Sequence, residues 1–317
     1  MRTMHRHLAA LLAFGLACGS VPGAARASDA AEEALIGRWD IDIHTPDGDL
    51  PSWLEIRRSG TRTLVGQFVG VAGSARPVSR VEVEGGELRF SIPLQWEEGT
   101  GDLSFRGKLQ GDRLAGSMTF PDKKQFDWSA DRAPALQRTA PPKWGEPVRL
   151  FNGTDLTGWR AHGESQSQWK VEKGVLRNTA SGANLVTERK FTDFKLHVEL
   201  RLPEGSNSGV YLRGRHEVQI AEPMGEPASD TLGAVYGFLV PSEKAGKGPD
   251  EWQSLDITLV GRRITVVLNG KTVICDREIP GITGGALDSD EGVPGPLYLQ
   301  GDHGPVEFRN ITLTPAQ

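Results

Sequence analysis

Between Ile36 and Asp131, apolar and polar residues alternate in short runs, each broken by a turn signal. GRWDIDIH, SWLEIRRSG, TLVGQFVG, SRVEVEGG, ELRFSIP, DLSFRGKLQ, RLAGSMTF and KQFDWSAD follow one another about every ten residues. A period of two sends successive side chains to opposite faces, so each run predicts a half-buried strand. Gly-Gly, Gly-Asp and Pro-Asp between the runs mark antiparallel hairpins. About eight strands in so short a span suit a small up-and-down barrel, because closing the sheet removes its exposed edges.

The same alternation resumes after Val148. FKLHVELRL puts Phe194, Leu196, Val198 and Leu200 on one face and Lys195, His197, Glu199 and Arg201 on the other. SLDITLVGRRITVVLNGKTVI reads as two strands joined at Gly261-Arg262, with Asn269-Gly270 turning tightly into a third. No long helical periodicity intervenes, so two stacked sheets, a sandwich or jelly roll, are expected. The intervening stretch, DRAPALQRTAPPKWGEP, carries four prolines and little alternation. Proline blocks regular pairing and stiffens the chain, which predicts an all-β protein of a barrel (34–134), a Pro-rich linker (135–147) and a jelly-roll domain (148–317).

Arg2 and Arg6 precede an apolar run from Leu8 to Leu16, and Ala25-Arg26-Ala27 offers a small-residue cleavage site. Residues 1–27 therefore read as a signal peptide cleaved after Ala27, placing the mature chain in the periplasm or outside the cell. A lipoprotein site at Cys18 is the weaker alternative, because Gly15 stands where a larger aliphatic is usual. Those residues hold three arginines and no acid, so cleavage takes the formal charge from −5 to −8. Nucleic acid is excluded as a partner, since its binding needs a concentrated basic surface. Cys275 is left alone, which excludes a disulfide framework, and its strand context predicts burial. No later segment is apolar enough to span a bilayer.

NSGVYLRGRHEVQIAEP, residues 207–223, crowds ionisable groups into an alternating hairpin. Pairing GVYLR with EVQIA across a loop of Gly214 to His216 sets Arg213 opposite Glu217 and Tyr211 opposite Gln219. Val210, Leu212, Val218 and Ile220 then fill the other face, and a slip of one residue would mix the two sets. An exposed Arg–Glu pair of this kind contributes under about 1 kcal/mol, so the bland reading is a solvated sheet face. The functional reading is a groove whose Tyr, Arg, Glu and Gln side chains hydrogen-bond a sugar. A bulge near Ala221 would bring Glu222 to the same face. Glu217-x-Gln219-x-x-Glu222 then resembles the Glu-x-Asp-x-x-Glu strand of jelly-roll β-glycanases. The amide at Gln219 departs from that pattern and argues against direct retaining hydrolysis.

Gly37-Arg38-Trp39 resembles the Gly-x-Trp that opens calycin-like barrels. More extensive is the likeness of the second half. LFNGTDLTGW, WKVEKGVLRN, the hairpin region, GAVYG, DEWQSLDITLVGRRITVVLNGKTV and GPLYLQGDHGPVEFRNITLTP together resemble the 3-keto-disaccharide hydrolase domain family, in order over about 170 residues. The resemblance implies a concanavalin-like jelly roll that cleaves glycosides whose C3 hydroxyl a partner dehydrogenase has oxidised. A C3 ketone acidifies the C2 proton, so a base can form an enolate that expels the C1 substituent before water adds back. That route needs a base over C2, a donor at the C3 oxygen and a proton for the leaving oxygen.

Glu217 or His303 is the candidate base, Arg213 the candidate enolate partner and Glu222 the candidate acid. Gln219 and Tyr211 are candidates for binding ring hydroxyls, Asn207 for lining the groove, and Tyr236 and Trp252 for stacking on a sugar. Against these stand a structural turn histidine at 303, a strand-entry turn at Asn207 and simple burial of the aromatics. No cofactor is called for. A divalent ion at Asp302–His303 or at His216–Glu217 stays open, although neither spacing is a metal signature. A non-catalytic carbohydrate-binding module and a β-domain interaction protein are the competing readings, and the barrel is without an assigned role.

Overall fold

The computed structural model describes residues 30–221 and 226–317. The signal-peptide reading of residues 1–27 and the candidate Glu222 lie outside the described residues. Among those described, no helix is long and apolar enough to cross a membrane.

The first eight strands are β1 (Gly37–Thr45), β2 (Gly48–Ser59), β3 (Thr63–Val69), β4 (Arg76–Glu84), β5 (Glu87–Pro93), β6 (Asp102–Gln110), β7 (Arg113–Thr119) and β8 (Gln125–Arg132). Each pairs with the next antiparallel, and β8 returns to β1, closing an up-and-down barrel. Inward alternation fills it: Trp39, Ile41, Ile43, Phe68, Phe105 and Trp128 belong to one continuous buried core.

Thirteen strands build the second unit. They begin with β9 (Val148–Arg149), β10 (Trp159–His162), β11 (Trp169–Glu172), β12 (Val175–Asn178), β13 (Asn184–Phe191) and β14 (Phe194–Arg201). Then come β15 (Asn207–Leu212), β16 (His216–Ala221), β17 (Gln253–Val260), β18 (Arg263–Leu268), β19 (Lys271–Glu278), β20 (Gly295–Leu299) and β21 (Val306–Pro315). One sheet runs β10-β13-β20-β15-β16, and the other runs β11-β12-β21-β14-β17-β18-β19 with β9 beside β21. Their facing sides interdigitate: Val210, Leu212, Val218 and Leu299 of the first meet Leu196, Val198, Ile257 and Phe308 of the second in one core. The all-β barrel-plus-jelly-roll expectation holds.

One local expectation fails for an identifiable reason. Cys275 is exposed. The β18–β19 register shifts on both sides of Val266, so Val273 and Ile274 are both buried and Cys275 to Glu278 all face solvent. Residues 135–147 form no named strand, yet they are fastened to the jelly roll. Arg138 Nε bonds buried Asp193 at 2.6 Å and Lys195 lies 4.8 Å from the Trp144 ring centre, while just before the segment Pro134 O accepts from Arg262 Nε at 3.1 Å.

Barrel and jelly roll also meet directly. Trp53 and Val69 pack on Ile282, and Gly285 N–H donates to Val71 O at 2.8 Å. A Cβ on Gly281 would strike the Trp53 indole, and one on Gly284 would strike the Gly73 backbone. The two glycines thus permit the barrel rim to sit flush on the segment between β19 and β20. Arg262 and Glu291 form a buried ion pair in the same seam. There the Asp40 carboxyl of β1 is pushed up to about 8, by burial first and by the Glu291 charge second.

Candidate active site

The hairpin of β15 and β16 shows why side-chain faces can be legible when pairing is not. Tyr211 lies opposite Glu217 and Gly209 opposite Gln219, two residues away from the expected register. A shift of two preserves the face of every side chain. Tyr211, Glu217 and Gln219 therefore still share one side, with the apolar set on the other.

The shift moves Arg213 into the turn, where it adopts a left-handed φ of 56° beside Gly214 at 69°. This corrects its expected place opposite Glu217. It is 1% exposed and does not line the cavity above the sheet. Its Nη2 instead donates to Gly261 O at 2.9 Å and meets His216 Nε2 at 3.1 Å. Burial lowers its pKa to about 10, and burial with the Arg213 charge pushes His216 far down. His216, one residue from Glu217, points to the opposite side, so the two cannot chelate one ion.

Trp252 is corrected as well. It precedes β17 in the other sheet, with the Arg309 and Arg201 guanidinium carbons 3.9 and 4.9 Å from its ring centre. His197 and Glu199 of β14 lie in that sheet too, where His197 Nδ1 is 2.7 Å from Asp256.

A cavity of about 380 Å³ covers the polar face of β15, β16 and β20. From the predicted set it gathers Asn207, Tyr211, Glu217, Gln219, Tyr236 and His303. Tyr298, Gln300 and Asp302 were not predicted to bind substrate, yet they line it too. The signal for the first two was the alternation of PLYLQ, which faces Leu297 and Leu299 into the core. Gly284–Gly285 and three barrel residues, Ala72, Gly73 and Trp96, form the remaining walls.

Glu217 lies at the base of this cavity, 4% exposed. Its backbone N–H donates to Thr283 Oγ1 at 3.0 Å, and its carbonyl accepts from Tyr236 N–H at 3.1 Å. The carboxyl lies over Gly209, where any Cβ would collide with it. Tyr211 Oη is 2.9 Å from Glu217 Oε2 and also 2.9 Å from Gly284 O. One phenolic proton serves one straight hydrogen bond. If it goes to Gly284 O, which can only accept, the other contact needs a proton on Glu217. Burial agrees with this inventory, raising the Glu217 pKa to about 8 against the lowering effects of Tyr211 and His303. Tyr211 is itself fixed by stacking on Tyr298, with ring centres 4.3 Å apart.

His303 sits on the loop after β20. Asn178 Nδ2 donates to both Gly301 O and Gly304 O at 2.8 Å, clamping the loop from β12. Asp302 Oδ1 is 2.7 Å from His303 Nδ1. With Nδ1–H donating there, the Nε2 lone pair is free to accept a proton. The Asp302 hydrogen bond raises the His303 pKa. Burial pushes Asp302 up, but its hydrogen bond to His303 leads a larger opposing set, and the net shift is down.

The amide oxygens of Asn207, Gln219 and Gln300 are buried without a hydrogen-bond partner among the described residues. Gln219 and Gln300 are 4% and 7% exposed. Buried acceptors of this kind are rare unless a ligand supplies donors, and ring hydroxyls are such donors. No three His, Cys, Asp or Glu side chains cluster as metal ligands among the described residues.

Residues 146–314 match the family described as 3-keto-alpha-glucoside-1,2-lyase-like domain. A 75-residue stretch is 29% identical to a 3-keto-disaccharide hydrolase of Bacteroides thetaiotaomicron, covering 20% of this chain and 26% of that protein. The match thus spans about a quarter of the curated relative. A candidate glycosyl hydrolase of known structure from Parabacteroides distasonis is 26% identical, with a TM-score of 0.46 over 56% of this chain and 92% of its own. Another from the same organism is also 26% identical, with a TM-score of 0.43 over 53% of this chain and 98% of its own.

Proposed function

Because the chain belongs to the 3-keto-alpha-glucoside-1,2-lyase-like domain family through residues 146–314, we propose that it is an exported enzyme cleaving the C1–O bond of 3-keto-glycosides by elimination and then hydration. The observation that carries this reading is the pairing in one cavity of a histidine free at Nε2 with a carboxyl buried enough to hold a proton near pH 7.

His303 Nε2 takes the C2 proton, and the C2–H electrons pass into an enolate on the C3 oxygen. Collapse of the enolate restores the ketone, forms the C1=C2 double bond and breaks the C1–O bond. The leaving oxygen takes the Glu217 proton. The half-exposed His303 exchanges the abstracted proton with solvent before water adds at C1, losing its own proton to the Glu217 carboxylate, and His303 then returns a solvent-derived proton to C2. The net result is hydrolysis with no change of oxidation state. Arg213 is buried away from the cavity, so neutral donors serve the enolate oxygen: the Tyr236 hydroxyl and the Gln219 and Gln300 amides. Such positioned donors act strongly where water is excluded.

Ordinary glycosidases need two carboxyls flanking the bond. The described carboxyls here are Glu217 and an Asp302 already engaged by His303. A C3-oxidising dehydrogenase must supply the substrate, and the signal-peptide pattern of residues 1–27 puts the reaction in the periplasm or outside the cell.

Purified protein is expected to release 4-nitrophenol from 4-nitrophenyl 3-keto-glucoside and to leave the unoxidised glucoside intact. Equal rates on the pair would indicate conventional glycosidase chemistry and overturn the proposal.

A further inference from the structure

Trp96 is 69% exposed, the most exposed of the large hydrophobic side chains described, yet the segment that carries it is rigidly held. Glu97 accepts from both Arg76 Nη atoms at 2.9 and 3.1 Å, and from the backbone N–H of Gln95 at 2.9 Å and of Trp96 at 3.2 Å. Gln95 in turn accepts from Ser74 N–H at 3.1 Å and donates to Ser74 Oγ at 2.8 Å. The indole lies against Gly73, where a Cβ would come within 2.6 Å of Cδ1 and 2.7 Å of Nε1. An aromatic ring held in so ordered a setting is presented ready to stack on a partner.

Trp96 and Ala72 belong to two cavities at once. One is the cavity over Glu217 and His303. The other, of about 260 Å³, opens into the end of the barrel between Ile43, Phe68, Leu103, Met118 and Phe120. Among the described residues the one charged group on its wall, Glu97, is neutralised by Arg76. A cavity of ~150 Å³ lined by such side chains holds benzene, so this cup has room for a group larger than one aromatic ring, and beyond the Trp96 indole N–H and the Arg76-bound Glu97 its side chains offer sugar hydroxyls no polar partner. Gly285 N–H to Val71 O, together with the close fit of Gly284 on Gly73, keeps the barrel rim in register with the cavity below.

We propose that the barrel supplies the leaving-group subsite, and that the substrates are 3-keto-glycosides of apolar, aryl-bearing alcohols in preference to 3-keto-disaccharides. The sugar sits over Glu217 and His303, and the aglycone passes Trp96 into the barrel mouth. This inference rests on the reaction proposed above.

Methanol and 2-phenylethanol have similar acidities, so their 3-keto-glucosides differ in aglycone contact and little in leaving-group quality. The parent is expected to favour the phenylethyl glycoside in kcat/KM by about tenfold or more, the value of one good aromatic contact. Trp96→Ala should bring that ratio close to one. No preference in the parent, a preference unchanged in Trp96→Ala, or faster turnover of a 3-keto-disaccharide than of the phenylethyl glycoside would overturn the assignment. Should the parent cleave none of them, the reaction reading fails and ligand-observed NMR with 2-phenylethanol tests the cup by itself. Saturable binding weakened in Trp96→Ala supports the subsite, and absence of binding to the parent refutes it.

Discussion

Replacing His303 with alanine is expected to lower kcat/KM on 3-keto-glycosides by about 10²- to 10⁴-fold, the usual contribution of a positioned proton-transfer group. Alkyl and aryl leaving groups should suffer alike, because proton removal from C2 precedes departure of the group at C1. Folding should be little affected. The imidazole is half-exposed on a loop that Asn178 clamps through backbone carbonyls of Gly301 and Gly304, so truncation leaves those bonds intact. Loss confined to poor leaving groups would instead make His303 the acid and reverse the assignment. Steady-state kinetics on a methyl and a 4-nitrophenyl 3-keto-glucoside decides between the two.

The Glu217→Gln variant should behave in the complementary way. Glutamine is nearly isosteric and can still donate to Tyr211 Oη, but it cannot give up a proton to the leaving oxygen. A loss of about 10²-fold or more is expected for the methyl glycoside and a much smaller one for 4-nitrophenyl, which departs without help. The pH dependence carries the same signature. Glu217 acts while protonated, so with its pKa pushed up to about 8 the activity persists below that pH and falls above it. His303 acts while neutral, so activity also falls on the acid side of its raised pKa. The pH profile is therefore a bell, and its alkaline limb should vanish in Glu217→Gln. An unchanged limb in that variant would assign it to another group.

The parts of the site legible in the sequence were those set by strand alternation. Tyr211, Glu217 and Gln219 share a face because their spacing is even, and the same rule holds for Tyr298 and Gln300 opposite the core residues of β20. Pairing was not legible, because a hairpin displaced by two residues satisfies the same hydrophobic pattern. That displacement turned Arg213 from a cavity residue into a turn residue. Trp252 misled for a different reason: a strand's sheet is decided by long-range order, and the sheet containing β17 faces away from the cavity. Asp302 was visible only as half of a candidate metal pair, and its hold on His303 needed the folded loop. The barrel wall left no signal at all, since Gly73 and Trp96 lie more than 100 residues from Glu217 and reach it only through the glycine seam at Gly284–Gly285.

The central claim, that bond cleavage proceeds through loss of the C2 proton, is tested most directly by a 3-keto-glucoside carrying deuterium at C2. Turnover in ordinary water should yield a sugar that has exchanged its C2 deuterium for hydrogen at the rate of aglycone release, beyond the slow exchange seen without enzyme. Aglycone release with the deuterium retained at C2 would contradict the account.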